Sequence, residues 1–216
     1  MASERARARM VQNLRDHGIR SAAVLEAMGT VPRHLFIDQA LASRAYDDVS
    51  LPIGHEQTIS KPSTVALMLE IVLSGLDEAR RGTATVLEIG TGCGYQAAVL
   101  AQLCGQVVSI ERLRALHEQA RANLRALRIP NLRLVHGDGR AGVAQAAPYD
   151  AIVVAAAAGD EVPEALLGQM KVGGRLVAPV GVARQALHLV ERTSKFDWEL
   201  TVLDAVRFVP LQVGKS

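Results

Sequence analysis

The spacing of apolar residues changes near residue 85 of this 216-residue chain. Before that point apolar side chains recur about every 3.6 residues, as they do from Glu4 to His17, and this period predicts helices. Residues 47–60 contain Pro52 and Gly54 without a long period, so they are predicted to form a loop. The helices predicted for this part of the chain cover residues 4–17, 21–28, 36–41 and 62–73.

After residue 85, short apolar runs alternate with helical segments. The predicted strands are 85–89, 107–110, 132–136, 150–155 and 175–179, and the predicted helices are 95–103, 112–128 and 163–170. Such alternation is typical of a parallel sheet that helices cover on both faces. The last two apolar runs, residues 186–191 and 199–208, have no helix between them and predict an antiparallel hairpin.

These patterns predict a doubly wound, Rossmann-like α/β fold. Its sheet is expected to be mostly parallel, with an antiparallel C-terminal edge and a helical N-terminal addition. Since a chain of this length is within the usual range for one domain, we expect a single domain over residues 1–216. Residues 1–62 are expected to form the helical addition with its loop, and residues 63–216 the α/β core.

Composition narrows the class of protein. Apolar residues make up 49% of the chain and charged residues 21%, so a core can form and wholesale disorder is excluded. The 24 basic and 22 acidic residues leave a formal charge of +2, which gives no reason to expect a nucleic-acid or membrane-surface protein. Aromatic residues are only 3% and leave few rings to stack on bases. We therefore expect neither a nucleic-acid partner nor a membrane partner.

Cysteine and histidine usage excludes further classes. Cys93 and Cys104 are too few for a disulfide framework or a four-cysteine zinc site, and the six histidines show no metal-ligand spacing, so no metal site is predicted. Residues 1–11 carry arginines without the apolar run of a secretory signal. The most apolar stretch, residues 149–159, is too short to cross a bilayer. We therefore expect a soluble, cytoplasmic protein.

The strongest local signal is a glycine-rich turn. Gly90, Gly92 and Gly94 alternate between the predicted strand 85–89 and the helix that follows. Glycines let the backbone turn sharply and let a ligand approach it closely, and in an open parallel sheet such a turn lies at the carboxyl edge, where ligands bind. Glu111 ends the next strand, 19 residues after Gly92, and a carboxylate there can accept both hydroxyls of a ribose.

Two adenosine-containing ligands suit this turn. Gly92, Gly94 and Ala97 satisfy a relaxed dinucleotide pattern, which is weak support for a nicotinamide cofactor. Glu88 favours the other ligand, S-adenosylmethionine, because a carboxylate near the turn would repel a pyrophosphate but would attract the ammonium of an amino-acid group.

The third strand ends in Gly137, Asp138 and Gly139. An acid between glycines at this edge can reach the amino group of adenine, while a neighbouring backbone N–H meets a ring nitrogen. The alternative is an ordinary Asp-Gly turn. The position of Asp138 as the third acidic residue at the carboxyl edge, after Glu88 and Glu111, favours the ligand interpretation.

Several motifs resemble the protein-L-isoaspartate O-methyltransferases, a family of S-adenosylmethionine-dependent class I methyltransferases. The segment that is specific to that family is Gln57 to Ser60, followed by Pro62, whereas the glycine turn is shared by the whole class. The resemblance extends in order from about Leu14 to Leu211. The other motifs that carry it are Asp47 to Gly54, Val86 to Tyr95, Gly137 to Gly139, Tyr149 to Ile152, Gly173 to Leu176, Pro179 to Gly181 and Val206 to Leu211.

The resemblance implies an enzyme that methylates the free carboxyl of isoaspartyl residues in damaged proteins. The ester collapses to a succinimide, whose hydrolysis restores some normal aspartate, and S-adenosylhomocysteine is the other product. Ser60 matches the active-site serine of the family, and Thr58 belongs to the same loop. The expected partners are isoaspartyl proteins and peptides in extended conformation, bound by a monomer over the loop at residues 47–60.

The candidate site residues form three groups. Ser60 and Thr58 are predicted to be catalytic. The predicted cofactor-binding residues are Glu88, Gly90, Thr91, Gly92, Gly94, Glu111, Arg112, Asp138 and Gly139. The predicted substrate-binding residues are Leu51, Pro52, Ile53, Ile59 and Val206, although Leu51 and Val206 are equally well explained as core residues.

Some alternatives stay open at this point. Ser60 is predicted to donate a hydrogen bond to the substrate carboxylate, but a serine here also suits a cap for the helix that begins near Pro62. Lys61 departs from the family, which often has Ala or Gln there; it either helps to hold a carboxylate or points to solvent. The alternative functions are a methyltransferase acting on a small molecule and a non-catalytic module that binds the cofactor.

Overall fold

The structure, a computed structural model, describes residues 2–216, with side chains from residue 4 onwards. A seven-stranded sheet forms its centre. Two strands, β1 (Leu51–Gly54) and β2 (Gln57–Ile59), pair separately from this sheet. The seven strands of the sheet are β3 (Thr85–Ile89), β4 (Gln106–Glu111), β5 (Leu132–His136), β6 (Tyr149–Val154), β7 (Met170–Val180), β8 (Gln185–Arg192) and β9 (Trp198–Val206). The helices are α1 (Ala2–Asp16), α2 (Ala22–Thr30), α3 (Pro62–Leu73), α4 (Glu78–Arg81), α5 (Tyr95–Leu103), α6 (Arg114–Arg125) and α7 (Glu164–Leu167).

The strand order of the large sheet is β5-β4-β3-β6-β7-β8-β9. The pairs from β5 to β7 are parallel, and β7-β8 and β8-β9 are antiparallel. The predicted doubly wound α/β fold with an antiparallel C-terminal edge is therefore confirmed. The chain runs outward from β3 through β4 to β5, then crosses back to β6 on the other side of β3. This reversal opens a crevice at the carboxyl ends of β3 and β6, the usual place for a ligand in such sheets.

Apolar cores lie on both faces of this sheet. Successive strand residues point to opposite faces, so Val86 joins one core and Leu87 the other. The first core also takes in Met10 of α1, Met28 of α2 and Leu69 of α3. The N-terminal helices are thus packed on the same core as the central strands, which fixes the segment between α2 and α3 against the sheet.

Residues 47–60 do not form the predicted loop. They contain the antiparallel hairpin β1–β2, in which Leu51 pairs with Ile59. His55 and Glu56, at the tip, have φ of 51° and 58°, and a two-residue turn with two positive φ values suits the twist of a hairpin. The sequence signal was missed because this turn lacks the Asn-Gly pair that marks most such turns, and because Pro52 argues against a strand.

Three helix predictions need correction. The helix predicted over 112–128 is shorter and covers Arg114–Arg125. The helix predicted over 163–170 is a single turn, since Met170 already begins β7. The helix predicted over 36–41 is replaced by two 3₁₀ segments, Arg33–Phe36 and Gln39–Arg44. Short apolar segments near glycine and proline do not distinguish a helical turn from a strand end.

Other elements match the prediction closely. The helix that opens at Pro62 and the helix that opens at Tyr95 have the predicted bounds, as do β3 and β5. The N-cap of α2 is Ser21, whose hydroxyl accepts a hydrogen bond from Val24 N. Over residues 2–216, none of the helices is both long and apolar enough to span a membrane.

Candidate active site

The glycine turn joins β3 to α5 at the crevice. Gly92 has φ of +54°, and a Cβ there would lie 3.2 Å from Ile53 Cδ1 of the hairpin. Gly94 has φ of +93° and precedes α5; a Cβ there would lie 2.9 Å from Leu124 Cδ1. The turn therefore depends on glycine for its backbone conformation and for its close packing.

The carboxylate of Glu111 is fixed at the end of β4. Its Oε2 accepts a hydrogen bond from Gly92 N at 2.9 Å, and its Oε1 accepts one from Leu113 N at 3.0 Å. The side chain is buried, and each oxygen keeps a second lone pair. The glycine turn thus orients the acid that the sequence assigns to the ribose hydroxyls.

An inner cleft of about 630 Å³ lies in front of the glycine turn. Seven predicted site residues line it: Ile53, Thr58, Gly90, Gly92, Glu111, Arg112 and Gly139. Residues after β9 close its other side, and sequence reasoning did not assign them to the cofactor: Val209, Pro210, Leu211 and Gln212. They are held over the cleft because Leu211 N donates to Ala157 O, and because Arg112 Nη2 donates to Gln212 Oε1 at 2.6 Å.

A middle pocket and an outer groove continue from this cleft. The middle pocket, of about 360 Å³, lies between the glycine turn and the hairpin. The outer groove, of about 1360 Å³, lies between α3 and the residues that end and follow β9. The predicted residues of the middle pocket are Ile53, Thr58, Ile59, Ser60, Gly90, Thr91 and Gly92, and those of the groove are Thr58, Ser60 and Val206.

Thr58 and Ala155 line all three cavities, and Ser60 lines the middle pocket and the outer groove. The cavities therefore meet at these residues. Ala155 follows β6 at the carboxyl edge, and its N–H donates to Ile89 O at 2.8 Å. Sequence reasoning did not assign Ala155, although its position at the end of a central strand was the available signal. The site thus places a deep cleft and an open groove on either side of Ser60.

Ser60 does not cap the helix that follows it. The N-cap of α3 is Lys61, which makes no side-chain capping bond. Asp48 has this role instead: its carboxylate accepts from Ser63 N at 2.7 Å and from Ser63 Oγ at 2.8 Å. Lys61 Nζ lies 3.9 Å from Asp48 Oδ2 with its side chain 49% exposed, so it is held at the surface by an ion pair. The Ser60 hydroxyl is therefore not engaged in capping.

Five of the predicted site residues line none of the three cavities. Leu51 is 2% exposed and belongs to the core, and Pro52 points outward from the hairpin. Gly94 packs on α6. Side chains alternate along β1, and Ile53 is the β1 residue that lines the inner cleft. Glu88 and Asp138 are the other two.

Asp138 holds a turn and the C-terminal residues. Its Oδ1 accepts from Arg140 N at 2.9 Å, and its Oδ2 accepts from Gly214 N at 2.7 Å. These contacts are those of the Asp-Gly turn that the sequence left as the alternative. Gly139 lines the inner cleft, so the turn presents backbone rather than the carboxylate to it. A contact of Asp138 with adenine stays a prediction.

Glu88 lies behind the glycine turn and is fully buried. Its Oε2 accepts a hydrogen bond from Ser109 Oγ, and Ser109 Oγ lies 2.6 Å from Thr91 Oγ1. Its Oε1 has no partner among the described residues. Burial, opposed in part by the Ser109 hydrogen bond, raises the pKa of Glu88 to about 8. The carboxyl is therefore held protonated below that pH in the free protein.

This burial makes the stability of the protein depend on pH. The pKa of Glu88 is 4.5 in its ordinary state and about 8 in the folded protein. The contribution of protonated Glu88 to the free energy of unfolding is therefore complete below pH 4.5 and is lost as the pH rises to about 8. In Glu88→Gln, a neutral side chain of the same shape removes this dependence. We expect the variant to match the wild type near pH 5 and to exceed it by about 1–3 kcal/mol at pH 8.

Urea denaturation of both proteins at the two pH values measures this difference. The two proteins differ only at residue 88, so the difference between them isolates Glu88. An equal loss of unfolding free energy in both proteins between pH 5 and pH 8 would contradict the assignment.

Comparison with known proteins agrees with this geometry. The family model described as protein-L-isoaspartate(D-aspartate) O-methyltransferase matches residues 5–216. Two proteins named protein-L-isoaspartate O-methyltransferase, from Burkholderia lata and Cupriavidus pinatubonensis, are each 57% identical to this chain, and each alignment covers 99% of it. The chain spans 68% of the first relative's length and 75% of the second's.

Solved structures give the same result for the fold. A protein-L-isoaspartate O-methyltransferase superposes with a TM-score of 0.84 at 34% identity, over 94% of this chain and 65% of its own length. A Plasmodium falciparum protein that is also named a protein-L-isoaspartate O-methyltransferase was solved in complex with S-adenosyl-L-homocysteine. It superposes with a TM-score of 0.83 at 25% identity, over 95% of this chain and 98% of its own length. By sequence and by fold, the chain belongs to the protein-L-isoaspartate(D-aspartate) O-methyltransferase family.

Proposed function

We propose that this protein transfers a methyl group from S-adenosylmethionine to the free carboxyl of L-isoaspartyl residues in damaged proteins and peptides. One observation carries the proposal: the inner cleft, the middle pocket and the outer groove meet at Thr58 and Ala155, beside Ser60. A donor in the cleft and an acceptor in the groove would face each other only at this point. The family of the chain, given above, supplies the chemistry that suits the arrangement.

The inner cleft fits S-adenosylmethionine. Glu111 offers carboxylate lone pairs to the ribose hydroxyls, and Gly90 and Gly92 bring bare backbone to the ligand. Gly139 and Leu211 line the part of the cleft where the base would lie. When bound, S-adenosylmethionine supplies an electrophilic methyl group, and its transfer converts a carboxylate into a methyl ester without moving a proton.

The groove side of the site would bind and orient the acceptor. A carboxylate has an ordinary pKa of about 4 and is ionised at neutral pH, so no residue is needed to remove a proton. Ser60, free of capping, is placed to donate its hydroxyl hydrogen to one carboxylate oxygen. The middle pocket then holds the other oxygen toward the cleft and excludes water, which is what alignment of two reacting groups requires.

The open shape of the outer groove suits a peptide. It runs from His17 and Ile19, past Ser60, to Val206 and Phe208, with polar and apolar residues along it. An isoaspartyl link places main chain on both sides of the reacting carboxyl, and a groove that is open at the surface admits both. We propose that the peptide binds here in extended conformation with little side-chain selectivity.

We further propose how the chain is organised into domains, where the protein acts and which partners it lacks. Residues 1–62 and 63–216 would work as one methyltransferase domain, an arrangement supported by the core that runs from Met10 to Leu187. The protein would act as a cytoplasmic monomer with no nucleic-acid or membrane partner, and without a metal.

A pair of matched peptides tests the function. Labelled S-adenosylmethionine is incubated with the enzyme and an isoaspartyl peptide, or with its normal aspartyl twin. We expect label in the isoaspartyl peptide alone, as a base-labile methyl ester. Equal labelling of the twins, or none while a small acceptor is methylated, would reject the repair function. Tight binding of the donor with no turnover at all would instead indicate a non-catalytic module.

A further inference from the structure

Arg33 is a fully buried arginine next to the candidate active site. It begins the 3₁₀ segment after α2. Its Nε donates to Ala45 O at 2.8 Å, and its Nη2 donates to Ser60 O at 2.7 Å. The guanidinium carbon lies 4.8 Å from the ring centre of Tyr95. One side chain thus connects the N-terminal addition, the residue predicted to be catalytic and the start of α5.

No carboxylate forms a direct ion pair with Arg33 among the described residues. Its Nη1 has no hydrogen-bond partner among them either. The Tyr95 hydroxyl is also buried without a partner. Burying an unpaired charge lowers stability, and an apolar side chain of similar size would fill the space at lower cost. Packing alone therefore does not explain an arginine here.

The contacts of Arg33 define the position of Ser60. Tyr95 begins α5 immediately after the glycine turn, and Tyr95 and Ser60 both line the middle pocket. Arg33 donates a hydrogen bond to the Ser60 carbonyl and stacks on Tyr95. It thereby sets the distance between the serine and the glycine turn. Its charge also raises the electrostatic potential at the middle pocket, where low dielectric makes such a field strong. The fixed position of Ser60 and the positive potential both favour binding of a carboxylate in this pocket.

We infer that Arg33 is the positioning residue of the acceptor site: it fixes the Ser60 main chain against the glycine turn and attracts the substrate carboxylate. This inference rests on the proposed function for its substrate. The proposed role has two parts, the positioning of Ser60 and the attraction of the carboxylate, and different substitutions remove them. Arg33→Lys keeps the charge but can donate to only one of the two carbonyls at a time in this geometry. Arg33→Met removes both the charge and the hydrogen bonds.

Arg192 provides a matched control. Its guanidinium donates to Ser194 O, Met170 O and Lys195 O and lies 5.3 Å from the ring centre of Trp198. It therefore has the same kinds of contact as Arg33, but it lies at the end of β8 and lines none of the three cavities. Arg192→Lys and Arg192→Met report what the loss of such contacts costs in stability alone.

Steady-state kinetics with an isoaspartyl peptide test the inference. We expect Arg33→Lys to lower kcat about tenfold with KM within about threefold of the wild type, because orientation is lost and charge is kept. We expect Arg33→Met to lower kcat about 100-fold and to raise KM about tenfold. Affinity for S-adenosylhomocysteine should change less than about threefold in both, and the Arg192 variants should keep kcat and KM.

Hydrogen–deuterium exchange supplies a readout that does not depend on turnover. Amides of residues 57–64 should exchange about tenfold faster in Arg33→Lys than in the wild type, while those of β3 and β4 stay unchanged. A kcat for Arg33→Lys within about threefold of the wild type, with unchanged exchange at 57–64, would overturn the inference. A wild type that does not methylate the peptide would reject the proposed function, and the exchange experiment would still decide the role of Arg33. If Arg33→Met does not fold, Arg33→Lys still decides the positioning role, and the neutral variant Arg33→Gln tests the role of the charge.

Discussion

Replacing Ser60 by alanine is expected to lower kcat for methyl transfer by about 100-fold, since the hydrogen bond orients the acceptor carboxylate and a misplacement of the reacting oxygen by about 1 Å can cost that much. The serine lines both the middle pocket and the outer groove, and Asp48 caps α3 in its place. Alanine therefore removes the hydroxyl without disturbing the helix. Affinity for S-adenosylhomocysteine should stay unchanged, because Ser60 does not line the inner cleft.

Rates of methyl ester formation and calorimetric titration with S-adenosylhomocysteine measure these two effects. Ser74→Ala, at the other end of α3, is the control for loss of a serine hydroxyl outside the site. A folded Ser60→Ala protein that transfers methyl groups at the wild-type rate would show that Ser60 has no part in the reaction.

Replacing Glu111 by alanine is expected to weaken S-adenosylhomocysteine binding by about 100-fold, since hydrogen bonds to a charged group contribute about 1.5–3 kcal/mol each. The carboxylate is held by Gly92 N and Leu113 N, so it is oriented before the ligand arrives. Alanine removes the ribose acceptors and also leaves the Gly92 amide without its partner.

Calorimetric titration measures the loss of affinity. Glu118→Ala, which removes an exposed acid of α6 paired with Arg121, should leave the affinity unchanged. Binding of the ligand to folded Glu111→Ala with wild-type affinity would remove Glu111 from the cofactor site.

Most of the fold was predictable because its signals are local. A buried run such as Thr85 to Ile89, followed by glycines and a helix, specifies its own strand, turn and helix. The same holds for α3, whose start is marked by Pro62. The hairpin at residues 51–59 was missed because Leu51 and Ile59 are buried in a core that includes residues distant in sequence. Tertiary packing of this kind leaves no periodic pattern in a short segment.

The site was predictable where the backbone itself forms it. Gly90, Gly92 and Glu111 reach the inner cleft because strand ends and a glycine turn determine their positions. Glu88 was harder to place, since both faces of β3 are buried and alternation does not show which side chain meets the ligand. Ala155 and Arg33 could not be assigned, because an alanine carries no chemical signal and a surface role is the usual expectation for an arginine.

A crystal structure with S-adenosylhomocysteine is the most direct test of the arrangement proposed here. We expect the ribose hydroxyls to contact the Glu111 carboxylate and the sulfur to lie at the end of the cleft lined by Thr58 and Ala155, facing Ser60. A ligand bound elsewhere, or bound with its sulfur turned away from the middle pocket, would contradict this arrangement.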